Sequence, residues 1–445
     1  MAARPAGRNR AGRQPIARGG ADREHRELLF QLVAVTGRAL ELGGFPHQQL
    51  ELVAARPAFV FVERHEIENS KITIVSVPVT AAIMPAPFRP IELREFPEPD
   101  VQPGGILLKT MYSEVCGTDV HLWHGRLAGV PYPIIPGHVS VGTIAKMRGP
   151  LTLADGHQPR EGDRLVFFDV HRTCGRCYAC TVSGTPTKCA SRKVYGITDA
   201  AADGLFGGWS EAIYLEPGVV AARLPERVHP EDYIGGGCGL ITAVHAVDRA
   251  AIRLGDRVLV QGTGAVGLSI VALARIAGAH WVGAVGDPAD RRELATAMGA
   301  DAVYALTELA EERHAAVRAA TDGRGPDIVI EAAGSARAVE EGLEIVRDGG
   351  VYVIAGHYTD VGTSTISAHR HINRKHLDVR GCWGSEVRHF ATALDLLQRH
   401  AATVPWARIG ATAFGLGELN EALGQAEALA FTKALVAPNG TEGRA

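Results

Sequence analysis

Apolar positions along the chain change their period near residue 235. Between about Ala81 and residue 220 they fall in short runs broken by glycine and proline. Ile91-Glu92-Leu93-Arg94-Glu95 alternates as a half-exposed strand does, and residues 106–112 read as a second strand running toward Cys116. Pro97, Pro99 and Pro103-Gly104-Gly105 mark turns. The pattern predicts a β-rich region in the form of a partly closed barrel. Beyond residue 235, buried-type strands alternate with helices. Arg257–Gln261 leads into a helix over 268–277, Trp281–Val285 into a helix through Met298, and 327–331 and 351–355 are further strands. That alternation predicts an α/β fold with a doubly wound parallel sheet. One strong helix, over 387–399, stands in the last stretch.

Residues 1–80 differ from the rest. Arg4, Arg8, Arg10, Arg13, Arg18, Arg23 and Arg26 are spaced by glycine and alanine, which buries little and predicts disorder. Residues 27–43 fit a weak amphipathic helix. The whole chain of 445 residues is long enough for several cores. Its formal net charge of -3 offers no basic field for nucleic acid. No apolar run is long enough to cross a membrane and no secretory signal is read, so a cytoplasmic setting is expected.

The candidate chemistry is concentrated in four motifs. Gly262-x-Gly264-x-x-Gly267 follows a strand and opens a helix, and includes Ala265 and Val266. In that context the glycines permit a tight turn, a close pyrophosphate and close helix packing, which points to a dinucleotide. Asp287, 20 residues beyond Gly267, suits an adenosine ribose and NAD, whereas Arg291 and Arg292 suit the 2′-phosphate of NADP; the balance favours NAD. Four of the seven cysteines, Cys174, Cys177, Cys180 and Cys189, lie within sixteen residues and match a closed tetrahedral structural zinc site. Cys116-Gly117-Thr118-Asp119-Val120-His121 and Pro136-Gly137-His138 supply a thiol, a hydroxyl, a carboxylate and two imidazoles, donors suited to a second zinc. Cys238, in a run of glycines, is the candidate third ligand beside Cys116 and His138. Trp123, Phe168 and Trp383 are candidates for a substrate pocket, and Arg374 or Lys375 for the cofactor phosphates.

Together, and in this order, these motifs resemble the zinc-dependent medium-chain alcohol dehydrogenases. The resemblance covers roughly Ala81 to the C-terminus. It implies a β-rich GroES-like catalytic domain over 81–238, a Rossmann dinucleotide-binding domain inserted over 239–381, and a return to the catalytic domain over 382–445. It also implies that Cys116, His138 and Cys238 hold a catalytic zinc, so that two zinc ions are expected per chain. Thr118 and His121 become the proton relay, and Asp119 the carboxylate that orients His138. The implied reaction is hydride transfer between NAD(P) and an alcohol or its carbonyl, in a dimer or tetramer with no nucleic-acid or membrane partner. Two departures stand out. Val139 follows His138 where the family usually has Glu, and eight residues separate Cys180 from Cys189 where seven is common. The motifs weigh against a zinc-free quinone or enoyl reductase of the same superfamily, and against a non-catalytic dinucleotide sensor.

Overall fold

The computed structural model describes residues 78–440. The extension and its expected helix over 27–43 lie outside the described residues. The first half is built on short strands: β1 (Val79–Ile83), β2 (Glu92–Phe96), β3 (Ile106–Val115), β4 (Ser140–Met147), β5 (Arg164–Phe167), β6 (Val170–Arg172), β7 (Lys193–Val194), β8 (Ala212–Leu215) and β9 (Ala221–Arg223). Two short helices interrupt them, α1 (Gly117–Trp123) and α2 (Tyr178–Thr181). Helix α3 (Pro230–Ala250) then crosses to the second half. There β10 (Arg257–Gln261), α4 (Ala265–Ile276), β11 (Trp281–Val285), α5 (Ala289–Ala297), β12 (Ala302–Tyr304), α6 (Ala310–Ala320), β13 (Ile328–Glu331), α7 (Ala336–Ile345), β14 (Val351–Ile354) and β15 (Asp378–Gly381) alternate. The chain ends with α8 (Val387–His400), β16 (Thr412–Phe414), α9 (Leu419–Glu427) and β17 (Ala434–Val436).

Strands β10 to β15 form a parallel sheet in the order β12-β11-β10-β13-β14-β15. Val258, Leu259 and Val260 of β10 are buried, as expected of a strand covered by helices on both faces. The strand order reverses between β10 and β13, and at this switch point the loop after β10 opens toward a ligand crevice. A seven-stranded sheet follows the path β16-β17-β3-β4-β5-β9, with β8 also paired to β3. Its strands therefore come from both sides of the parallel sheet in sequence. The antiparallel pairing of β17 with β3 sets Leu435 opposite Glu114, which carries the C-terminal segment to the strand that delivers Cys116.

Helix α3 is broken at Gly237, whose φ of 45° and ψ of -141° no helix interior adopts. The break turns the chain so that Cys238 faces β3. One apolar cluster links the two sheets, running from Val139 and Val141 through Tyr233 and Leu240 of α3 to Val258 and Leu268. The crevice between the sheets thus has fixed walls. Among the described residues, no helix is long and apolar enough to cross a membrane.

Candidate active site

Strand β3 ends at Val115, and Cys116 takes the N-cap position of α1. Its backbone N–H donates to Asp119 Oδ2 at 2.8 Å, which fixes the first turn. That turn points Thr118 and His121 into a cavity of about 310 Å³, which Cys116, His138 and Cys238 also line. His138 arrives on a turn that only glycine can make: Gly137 has φ +88°, and a Cβ there would stand 2.6 Å from Ser113 Oγ. Cys116 Sγ and Cys238 Sγ are 3.8 Å apart. One donor atom from each of Cys116, His138 and Cys238 falls within 4.8 Å of the others, and a Glu114 carboxylate oxygen lies in the same cluster. Two thiols, an imidazole and a carboxylate converging in a buried space are a donor set suited to zinc.

The sequence reading missed Glu114 and Lys433. Both side chains are fully buried, and Lys433 Nζ donates to Glu114 Oε2 at 2.6 Å. Glu114 Oε1 lies 3.2 Å from His138 Nε2 and has no hydrogen-bond partner. Burial pushes the Glu114 carboxyl up, but the charges of Lys433 and His138 outweigh it and leave it below its ordinary range. Cys238 is lowered to about 7, chiefly by its sulfur–sulfur hydrogen bond with Cys116. Asp119 is raised to about 6 by burial, against the opposing charge of His138. Asp119 Oδ1 and His138 Nδ1 are buried without hydrogen-bond partners, so Asp119 acts on His138 here through its charge rather than a bond. His121 is half-buried; burial first, then Arg126 and His124, push its pKa down. Arg126 Nη1 lies 3.4 Å from His121 Nδ1.

The glycine loop has the form a dinucleotide needs. Gly262 has φ +111°, and a Cβ on Gly267 would stand 1.9 Å from Gly262 O, so helix α4 packs directly on the loop. A Cβ on Gly264 would meet open space, and Gly264, Ala265 and Val266 line the cavity. The unpaired N–H groups of the first turn of α4 face that opening. Asp287 lies just past β11, where its Oδ2 accepts from Leu306 N at 2.8 Å and its Oδ1 pairs with Arg292. Arg291 is buried and donates to Phe431 O at 2.5 Å. Lys375 donates to Leu343 O at 2.7 Å, at the C-terminal end of α7. That bond engages the ammonium at a helix end.

Donor atoms of Cys174, Cys177, Cys180 and Cys189 also fall within 4.8 Å of one another, on the loop between β6 and β7. Backbone N–H groups of Arg176 and Cys177 pull Cys174 down to about 6. The four sulfurs match a closed tetrahedral site with no open position. Of the three aromatic candidates, Trp383 lines the cavity, with Arg192 packed 5.0 Å over its ring. Phe168 is core, and Trp123 packs on Phe88 with ring centres 5.5 Å apart.

Comparison with known proteins decides the family. Residues 102–226 match the alcohol dehydrogenase GroES-like domain, and residues 265–399 match the zinc-binding dehydrogenase domain. The chain is 32% identical over 360 residues to 5-exo-hydroxycamphor dehydrogenase of Pseudomonas putida, covering 80% of this chain and 98% of that protein. The chain belongs to the zinc-dependent medium-chain dehydrogenases. Among solved structures, this dehydrogenase is similar to an alcohol dehydrogenase from Thermotoga maritima, with a TM-score of 0.78, 31% identity, and coverage of 82% of this chain and 100% of that one. A zinc-binding dehydrogenase from Sinorhizobium meliloti, solved bound to NADP, gives a TM-score of 0.70 at 26% identity, covering 82% and 100%. The dehydrogenase is accordingly a zinc- and NAD(P)-dependent oxidoreductase acting between an alcohol and its carbonyl.

Proposed function

We propose that the Cys116–His138–Cys238 cluster holds a catalytic zinc, that the four-cysteine lobe holds a structural zinc, and that the enzyme oxidises a largely apolar alcohol with NAD. The observation that carries the reading is the convergence of Cys116, His138 and Cys238 donor atoms within 4.8 Å, on a cavity that also reaches Gly264. A zinc there supplies a Lewis acid for the substrate oxygen, and a nicotinamide supplies the hydride acceptor. The chain does the rest. Thr118 takes the proton of the substrate hydroxyl, and His121 passes it toward solvent, its depressed pKa keeping the imidazole neutral and ready to accept. Asp119, whose Oδ2 accepts from the Cys116 N–H, holds the turn that presents Cys116. The first turn of α4 holds the pyrophosphate against Gly264, Ala265 and Val266.

NAD is favoured over NADP because both candidate arginines are committed. Arg291 serves Phe431 O, and Arg292 serves Asp287 and Gly286 O. Asp287 follows β11, the position at which a ribose-binding carboxylate is expected. Val139, Val170, Val194, Ile197 and Phe431 line the cavity and suit an apolar substrate. The relative from Pseudomonas putida is named for such an alcohol. Self-association is supported by β15, which forms the open edge of the parallel sheet and leaves Val379 40% exposed.

The test is metal content per chain in protein purified without added zinc, in wild type, Cys116→Ser and Cys174→Ser, followed by turnover of cyclic alcohols and polyols with each cofactor. Two zinc ions, one lost in each variant, with turnover of cyclic alcohols on NAD, is the expected outcome. A single zinc that survives Cys116→Ser would sink the catalytic-metal reading.

A further inference from the structure

We propose that Glu114 is a fourth donor to the metal of the Cys116–His138–Cys238 centre, with Lys433 as its fixed counter-ion. The inference rests on the reading that those three residues hold a metal, and goes beyond it in making the resting centre four-coordinate through protein atoms alone.

Position comes first. A Glu114 carboxylate oxygen lies within 4.8 Å of the ligand atoms of Cys116, His138 and Cys238, and no other carboxylate among the described residues joins that cluster. The position after His138 is the apolar Val139, buried in the core. The two carboxylate oxygens are used unequally. Oε2 is held by Lys433 at 2.6 Å, while Oε1, beside His138 Nε2, is buried with no hydrogen-bond partner. A buried carboxylate oxygen left unpaired is costly unless something else meets it.

Charge gives a second argument. Two thiolates and one carboxylate balance a divalent ion and one ammonium, so the buried set is neutral only when Lys433 is included. A neutral set is the one a low-dielectric interior tolerates. The fold also makes room for the pair: a Cβ on Gly237 would stand 2.3 Å from both Glu114 Oε2 and Lys433 Nζ. The break in α3 that presents Cys238 therefore also accommodates Glu114 and Lys433, and Lys433 Nζ lies 3.4 Å from Gly236 O.

Cobalt(II) reports the donor set directly. With zinc kept in the four-cysteine lobe, cobalt is introduced at the other centre of the whole protein and the visible d–d bands are recorded. Wild type is compared with Glu114→Gln and with the double variant Glu114→Gln/Lys433→Met, which removes both charges together and leaves neither buried alone. Both variants are expected to shift the bands. Both are also expected to release the metal to a chelator faster, by at least the roughly 10- to 100-fold seen when an outer partner of a metal ligand is removed. A structural ion pair would leave the bands in place. Cobalt-loaded variants with bands superimposable on wild type overturn the role of Glu114 and leave the three-ligand centre standing. A wild type that takes no cobalt there overturns the centre, and the proposal with it.

Discussion

In the proposed relay a proton leaving the substrate meets Thr118 before His121, both of which line the cavity, and the two residues divide the work. Thr118→Val is expected to lower kcat for alcohol oxidation by about 100-fold or more, while Thr118→Ser keeps most of it, because only the hydroxyl is needed. The His121 imidazole is pushed down by burial and by Arg126, so it is neutral through the neutral range and charges only at more acid pH. Oxidation should therefore fall on the acid side, and His121→Gln should flatten that limb of the kcat/KM profile; an unchanged limb would assign it to another group. At this scale the sequence was informative where chemistry clusters locally. Cys116, Thr118, Asp119 and His121 lie on one short helix and its N-cap, so their spacing is readable. Glu114 is not, because a lone Glu near a strand end normally faces water, and its partner Lys433 lies 319 residues away. Arg291 shows the converse: a motif neighbour that looks free to meet a phosphate is bound to a carbonyl near the C-terminus.

Elements were legible where one period dominates. The expected helix over 387–399 is α8, and the strand before the glycine loop is β10. Helix α3 was not legible, since Gly235, Gly236, Gly237 and Gly239 carry no helical period, and only the break at Gly237 makes sense of them. Two predictions belong here. Gly267→Ala would set a Cβ 1.9 Å from Gly262 O and force α4 away from the loop. Dinucleotide Kd, read by fluorescence titration, should rise at least tenfold, with a stability loss of about 1–3 kcal/mol from overpacking. The second concerns the start of α8, where the Glu386 N–H donates to His389 Nδ1 at 3.0 Å and the His389 ring stacks on His245 with centres 4.4 Å apart. Burial, then His245 and Arg388, lower His389 from 6.5 to about 4, against a smaller pull from Asp248. The unfolded chain takes this proton first. Stability is thus full above about 6.5 and lost as pH falls toward about 4. Allowing for solvent screening, the loss is about 1 kcal/mol, or roughly 2 °C in Tm. His389→Phe should shrink the acid-side fall in Tm by that amount, measured across the same window.

At the scale of the molecule, the two sheets meet along one cavity, and the four-cysteine lobe reaches that cavity from outside. Which late strands return to the first sheet was legible only through the family resemblance, because β16 and β17 are three residues each and carry no pattern of their own. The reach of the lobe was not legible at all. Thr187, just before Cys189, donates its backbone N–H to Glu386 at 3.2 Å and its hydroxyl to Ser385 O. Lys188 and Arg192 lie over the ring of Trp383, and Arg192 and Trp383 line the cavity wall. The structural metal proposed for the lobe would therefore hold one wall of the cavity without touching the reacting atoms. Cys174→Ser should lose only that metal and keep the one at Cys116. Loosening the wall weakens substrate and transition state alike, so KM should rise about fivefold, the equivalent of roughly 1 kcal/mol, with kcat nearly unchanged. Tm should fall by several degrees, because a ligand bound only to the folded state has been removed. Thr187→Val, which leaves all four thiols in place, should raise KM in the same direction without changing metal content. A Cys174→Ser enzyme that instead loses kcat at constant KM would mean the lobe acts on the catalytic centre itself.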